Sequence, residues 1–286
     1  MKPIDRRTFL AAGTALSLGM VRPQAWAALA QQIWTFDSLQ RIGGRPVTVE
    51  GQPKLVASPW GPAVAFDGQD DALFIDEHPL AGAATFTFEA LFRPDGGAFE
   101  QRWFHLESHQ DPPVPPGKGT TRMLFEIRVV ENAWYLDAFM IGQGYKHTLI
   151  VPEKRFPTGQ WYHVAQTHDG EKYSSYVNGE LQAQASMPFT PQGAGQASVG
   201  VRMNRVSYFH GAVREARFTH QALEPSQFTQ PKQLLTVPEA TAIDGGIPLL
   251  RDGRIVGAIG VAGMLPQQDA QVASAGADAY HHANPG

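Results

Sequence analysis

The feature that most constrains this chain is a series of short β-branched and aromatic runs, separated by turn clusters and lacking a sustained helical period, from Ile33 to about Phe228. Such a pattern predicts an all-β fold. The expected strands are 63–66, 73–75, 86–93, 103–107, 123–130, 134–140, 147–151, 161–168, 173–177 and 212–218. In Phe86, Phe88, Ala90 and Phe92 every second residue is apolar, while Thr87, Glu89 and Arg93 point the other way. This alternation predicts a sheet with one face on a core and the other polar. Asp169-Gly170 and Asn178-Gly179 are reversal signals, since Asn and Gly tolerate the positive φ of tight hairpins. Segment 111–119 is rich in Pro and Gly with no apolar period, and reads as a long exposed loop and a candidate rim element.

A chain of 286 residues suits one large all-β domain with a small appendage. Charged residues make up 17% and the net charge is -4, so the broad positive field that nucleic acid requires is missing and nucleic acid is excluded as a partner. The absence of Cys removes disulfides, thiolate metal sites, cysteine nucleophiles and a lipoprotein anchor together. The 29 Gly and 22 Pro fit many short strands joined by turns.

At the amino terminus Asp5-Arg6-Arg7-Thr8-Phe9-Leu10 precedes an apolar stretch, 11–21, too short to cross a bilayer, followed by Ala25-Trp26-Ala27. This segment resembles a twin-arginine signal peptide spanning 1–27. The resemblance implies export to the periplasm or beyond, a mature chain starting at Ala28, and no stable membrane anchor after cleavage.

Four further segments resemble LamG-like (concanavalin A-like lectin/glucanase) domains in order. They are Ala65-Phe66-Asp67-Gly68-Gln69-Asp70-Asp71; the strand 86–94, FTFEALFRP; Trp161-Tyr162-His163-Val164-Ala165 with His168-Asp169-Gly170 and Tyr176-Val177-Asn178-Gly179; and Phe209-His210-Gly211 through Arg217 to Ala222-Leu223. The resemblance implies that 28–230 forms a two-sheet antiparallel jelly-roll sandwich. It places Trp161 and Val164 in the inter-sheet core and gives His163 a structural role. Lectins, adhesion modules, glucanases and lyases share this architecture, so it leaves function open. The family often holds calcium near the first of these segments and the closing strand, which here implies Asp70 and Asp71, with Asp37 as a third ligand. Arg214 stands where the family usually has Asp, and the alternative is an Asp–Arg ion pair in place of the metal.

Laminarinase-type sandwiches carry two Glu on one strand, and Glu126-Ile127-Arg128-Val129-Val130-Glu131 is similar. Arg128 replaces the central Asp and is expected to lower the pKa of neighbouring carboxyls, whereas a glycosidase must keep one protonated. Glu126 and Glu131 fall on opposite faces at an odd spacing, and Glu131-Asn132 reads as a turn. No catalytic residue is assigned. A second polar group is His105-Leu106-Glu107-Ser108-His109, whose alternation puts His105, Glu107 and His109 on one strand face. Together with Glu126, Arg128, Asp137 and His147 it forms a candidate polar patch, able to bind zinc or to serve as acid and base in a lyase, or to be a solvated strand face. For ligand stacking the candidate aromatics are Trp103, Trp134, Tyr135, Tyr145 and Tyr208.

Beyond Gln230 the pattern changes to Gly245-Gly246-Ile247-Pro248, Asp252-Gly253, Gly257-Ala258-Ile259-Gly260-Val261, Gln268-Asp269 and an Ala-rich run to Tyr280. A β-hairpin (247–250 with 255–261) and a helix (267–279) are expected. Segment 231–286 resembles the carboxy-terminal third of the GlcG/HbpS-like haem-binding family, with Ala262 where that family has Ser and His281 and His282 as the available haem ligands. The combined reading is an exported, non-catalytic binding module for a carbohydrate or protein surface. Its alternatives are a polysaccharide-active hydrolase or lyase, and a haem or small-molecule accessory protein acting through the tail.

Overall fold

The computed structural model describes residues 31–229, 246–251, 254–261 and 266–283. The signal-like segment 1–27 and Ala262 lie outside these, as do the side chains of His281 and His282. In chain order the strands begin with β1 (Gln31–Thr35), β2 (Arg41–Ile42), β3 (Arg45–Glu50), β4 (Lys54–Ser58), β5 (Gly61–Asp67) and β6 (Ala72–Ile75). They continue with β7 (Phe86–Pro94), β8 (Glu100–Ser108), β9 (Arg122–Val130), β10 (Ala133–Gly142), β11 (Tyr145–Ile150) and β12 (Phe156–Pro157). Then follow β13 (Tyr162–His168), β14 (Lys172–Val177), β15 (Glu180–Ser186), β16 (Gly195–Val199) and β17 (His210–Thr219). The tail adds β18 (Gly246–Arg251), β19 (Arg254–Gly260) and α1 (Pro266–Ala283).

Two antiparallel sheets result. The first runs β15-β14-β13-β7-β17-β5-β4 with β1 also on β17, and the second runs β11-β10-β9-β8-β16-β6-β3-β2 with β12 also on β10. Their inner faces meet in an aromatic core. Phe88 stacks on Phe125 with ring centroids 3.9 Å apart, and Phe92 stacks on Trp103 at 4.6 Å. Rings of this size each remove a large apolar area from water, which is how a chain without disulfides stabilises a sandwich. The Asn178-Gly179 reversal joins β14 to β15 with both residues at positive φ, 50° and 80°.

Two expectations change. The outer side of β7 is not a solvated polar face, because Thr87 and Glu89 are buried. The segment after β17 straps across it, with Leu223 and Phe228 packed on Ala165 and Tyr176. Thr87 Oγ1 accepts the Leu223 N–H at 2.8 Å, and Glu89 Oε1 accepts the Thr229 N–H at 2.6 Å and contacts His163 Nε2 at 3.0 Å. Trp161 lies outside the core. β13 begins one residue later, so Tyr162 takes the inward position beside Trp134 and Phe156, while Trp161 stays half-buried against Trp60 with the Arg93 guanidinium over its ring.

In the tail, β18 and β19 pair antiparallel and α1 packs on them through small residues. Ala273 and Ala277 are buried, and a Cβ on Gly276 would lie 2.3 Å from Ile259 Cδ1.

Candidate functional site

The outer face of the second sheet carries most of the polar candidates. In register, Glu100 faces Arg128, Arg102 faces Glu126, His105 faces Leu124 and Glu107 faces Arg122 across β8 and β9, and Glu126 faces Asp137 on β10. The spacing along β8 switches phase between Arg102 and His105, because a bulge at Trp103 inserts one residue into the ladder. These side chains form a buried ionic network. Arg102 contacts both Glu100 and Glu126, and Arg128 reaches Glu100 at 2.8 Å and Asp137 at 2.5 Å. The carboxylates lie underneath, with Glu126 and Asp137 side chains only 4% and 2% exposed.

Burial, and then the charge of Asp137, push the Glu126 carboxyl up to about 7 against the opposing pull of Arg102 and Arg128. Arg128 lowers this carboxyl as the sequence suggested, but desolvation is the larger effect and the net shift is upward. Burial likewise raises Asp137. A carboxyl poised near neutrality beside a second carboxyl is the raw material of general acid catalysis, but here both are sealed beneath guanidinium groups with no open approach. Glu131 sits in the β9–β10 turn at φ 57°, outside this network.

Two predicted members do not join. β8 ends at Ser108, and His109 beyond it has a side chain 60% exposed, 3.7 Å from Asp76. His147 pairs with Met140, whose side chain is in the inter-sheet core, so it belongs to the face opposite Glu126 and Asp137. His105 and Glu107 are both buried on the network side. Glu107 pins the Pro/Gly-rich loop: its carboxylate accepts the Gly117 N–H at 2.7 Å and the Gly119 N–H at 2.6 Å. Segment 111–116 is exposed as expected, whereas Gly117 and Gly119 are drawn down onto the sheet. A Cβ on Gly119 would come within 2.4 Å of Glu107 Oε1, so a larger residue there would push the carboxylate off its two amides.

The second candidate is the Asp67-Gly68-Gln69-Asp70-Asp71 turn after β5. A cleft of about 470 Å³ opens beside it, lined by Gln52, Lys54, Asp67, Asp70 and Asp71 among others. Carboxylate oxygens of Asp67, Asp70 and Asp71 lie within 4.8 Å of one another. Asp67, not Asp37, completes the trio. Asp71 is buried, which raises its carboxyl although it accepts the Gln52 N–H at 2.6 Å and the Asp67 N–H at 3.0 Å. For Asp67, partial desolvation is outweighed by the backbone N–H groups of Gln69 and Asp70, and the carboxyl lies below its ordinary value. Three hard oxygen donors at this spacing fit the calcium the family implies, with Asp71 oriented by amides behind Asp67 and Asp70. Arg214 does not form the alternative ion pair; its Nε donates to the Trp60 carbonyl at 2.9 Å.

Of the candidate aromatics, Trp103, Trp134, Tyr135 and Tyr145 are buried, and Tyr208 alone among them stays half-buried. Sequence reasoning missed Gln52 and Lys54, which carry no motif, and Arg122, which the Glu126 and Arg128 parity on β9 would have found.

The fold is shared with solved structures of low identity. Domain 4 of AbnA, a GH43 extracellular arabinanase from Geobacillus stearothermophilus solved with arabinotriose, superposes with a TM-score of 0.51 at 19% identity, covering 68% of this chain and 94% of that one. The binding domain of Paraclostridial Mosquitocidal Protein 1 gives 0.51 at 11% identity, covering 68% of this chain and 50% of that one, so the chain spans half of that domain's length. No curated protein matches the chain. The family model described as Concanavalin A-like lectin/glucanases superfamily matches residues 67–228, and with more than half its length so matched the chain belongs to that superfamily.

Proposed function

We propose that this chain is an exported carbohydrate-binding module that acts without catalysis. The observation that carries the reading is a separation of roles. The one carboxyl raised to near neutrality, Glu126, is sealed beneath arginines, whereas the open cleft beside the Asp67–Asp71 turn offers an amide, an ammonium and carboxylates suited to sugar hydroxyls. The arabinotriose complex of the similarly folded arabinanase domain supports a sugar as the ligand class. Export rests on the twin-arginine-like segment 1–27. Among the described residues no helix is long and apolar enough to cross a membrane.

Calcium at Asp67, Asp70 and Asp71 belongs to this proposal; when bound it supplies a hard Lewis-acid contact at the cleft mouth. The residues themselves anchor the turn through the Gln52, Gln69 and Asp70 amides.

Calorimetric titration of purified protein against a polysaccharide panel tests the reading. Saturable binding is expected, weakened about 3- to 10-fold by Gln52→Ala or Asp70→Ala, the range for one lost hydrogen bond. Turnover of any polysaccharide that is lost in Glu126→Gln or His105→Ala would overturn it.

A further inference from the structure

Two arginines on the outer face of the second sheet have no acidic partner. Arg102 and Arg128 are neutralised by Glu100, Glu126 and Asp137. Arg122 and Arg202 instead donate to backbone carbonyls of the pinned loop, Arg122 to Gly119 and Arg202 to Gly117, the latter at 2.7 Å. Neither forms an ion pair with any described residue. The carboxylate nearest in register, Glu107, has both oxygens occupied by the Gly117 and Gly119 amides, and Glu126 is turned to Arg102.

Beneath them lies His105, fully buried. Its Nδ1 accepts the Met203 N–H at 3.0 Å, which places the ring proton of the neutral tautomer on Nε2. Burial, reinforced by Arg202, Arg122 and Arg102, holds the ring well below its ordinary pKa, so it is neutral and Nε2–H is a donor. That nitrogen is buried and has no hydrogen-bond partner, and the same is true of Nε on Arg122 and Nε on Arg202. Three buried N–H groups from β8, β9 and the β16–β17 segment thus lack acceptors in a region where two guanidinium charges are unpaired. Leaving such donors unsatisfied is costly, and an oxyanion at the solvent-facing edges of the two guanidinium groups neutralises the unpaired charge beside them. Both arginines are half-buried, so each keeps an edge toward solvent.

We propose that Arg122 and Arg202, above the buried His105, form a binding site for an oxyanion, the carboxylate or sulfate group of an acidic glycan. The glycan part rests on the binding-module reading above; the oxyanion part does not. Guanidinium forks match a planar carboxylate or a sulfate face, and the neutral imidazole beneath them adds no charge repulsion to the unpaired guanidinium groups. The loop 111–119 forms the rim, and its Gly117 and Gly119 carbonyls hold the two forks in place.

The test uses the full chain and matched ligands: a galactan oligosaccharide, its sulfated form, and an oligogalacturonate, each titrated calorimetrically at 50 mM and 300 mM NaCl in wild type, Arg202→Gln and Arg202→Lys. At low salt the charged forms are expected to bind at least tenfold more tightly than the neutral one. Arg202→Gln should abolish that preference and leave neutral binding unchanged, and Arg202→Lys should retain part of it. Equal affinity for charged and neutral forms, or a preference untouched in a folded Arg202→Gln, overturns the proposal and leaves the binding-module reading standing. If no glycan binds, sodium sulfate titrated against thermal stability separates the two ideas. A sulfate-dependent rise in Tm that Arg202→Gln removes keeps the oxyanion site and overturns its glycan ligand; no rise overturns both.

Discussion

The two sheets bury their inner faces alike and their outer faces in opposite ways. On the first sheet, the chain itself covers β7, β13 and β14 with an apolar strap, Leu223 and Phe228 on Ala165 and Tyr176. On the second, arginines lie over buried carboxylates, Arg102 over Glu126 and Arg128 over Asp137, with the more exposed Glu100 bridging the two arginines. A hydrophobic strap is released only by local unfolding, because its stabilisation comes from surface removed from water. Guanidinium groups keep an edge to solvent and can exchange one acceptor for another. The strapped part of the first outer face therefore serves stability, and recognition is left to the open cleft beside β4 and β5 and to the arginine-bearing outer face of the second sheet.

This contrast can be broken by substitution. The largest loss is expected for Arg128→Ala, which leaves the buried Asp137 without its cation while Glu100 keeps Arg102; removing one member of a buried pair costs about 3–5 kcal/mol, read by urea denaturation. Phe228→Ala should cost about 2–3 kcal/mol, below the usual range for a core Phe because the strap cluster is small and peripheral. Its signature is selective: amides of β13 and β14 gain hydrogen-exchange rate while those of β9 and β10 do not. Gly119→Ala should cost about 1–2 kcal/mol by displacing the Glu107 anchor, and should expose 111–118 to proteolysis.

The network also sets a pH dependence. The folded value for Glu126, about 7, lies above its ordinary 4.5, so this group favours the folded state fully below about 4.5, and that contribution is lost as pH rises through 7. Glu126→Gln should therefore flatten the decline in stability across that window relative to wild type, whereas Phe228→Ala should shift the whole profile without changing its slope. An unchanged slope in Glu126→Gln would show that this carboxyl is not raised.

How much of this was legible follows from what each strand displays. β7, β9, β10 and β13 announce themselves because bulky apolar residues alternate along them. β3, β4 and β15 do not, being mostly exposed with no regular alternation of bulky apolar residues, and β16 packs through small residues that carry no periodic signal. The polar patch was half legible. Glu126, Arg128 and Asp137 share a face by simple parity, but the Trp103 bulge hides the fact that Glu100 and Arg102 share a face with His105 and Glu107. His147 shows the reverse error, since its place on the inner side of an edge strand depends on pairing with Met140. The strap was invisible because its strand partners look amphipathic, and Thr87 and Glu89 read as solvent-facing until Leu223 and Thr229 are seen to bond them. The sign of the Glu126 shift could not be read either, because depth of burial and not the neighbouring Arg128 decides it.

Binding without turnover is the claim on which the rest depends, and one experiment addresses it directly: calorimetric titration of the polysaccharide panel with reducing ends assayed in the same samples. The account predicts saturable heat with at least one glycan and no rise in reducing ends over many hours. Release of reducing ends by wild type, lost in Glu126→Gln, would contradict it.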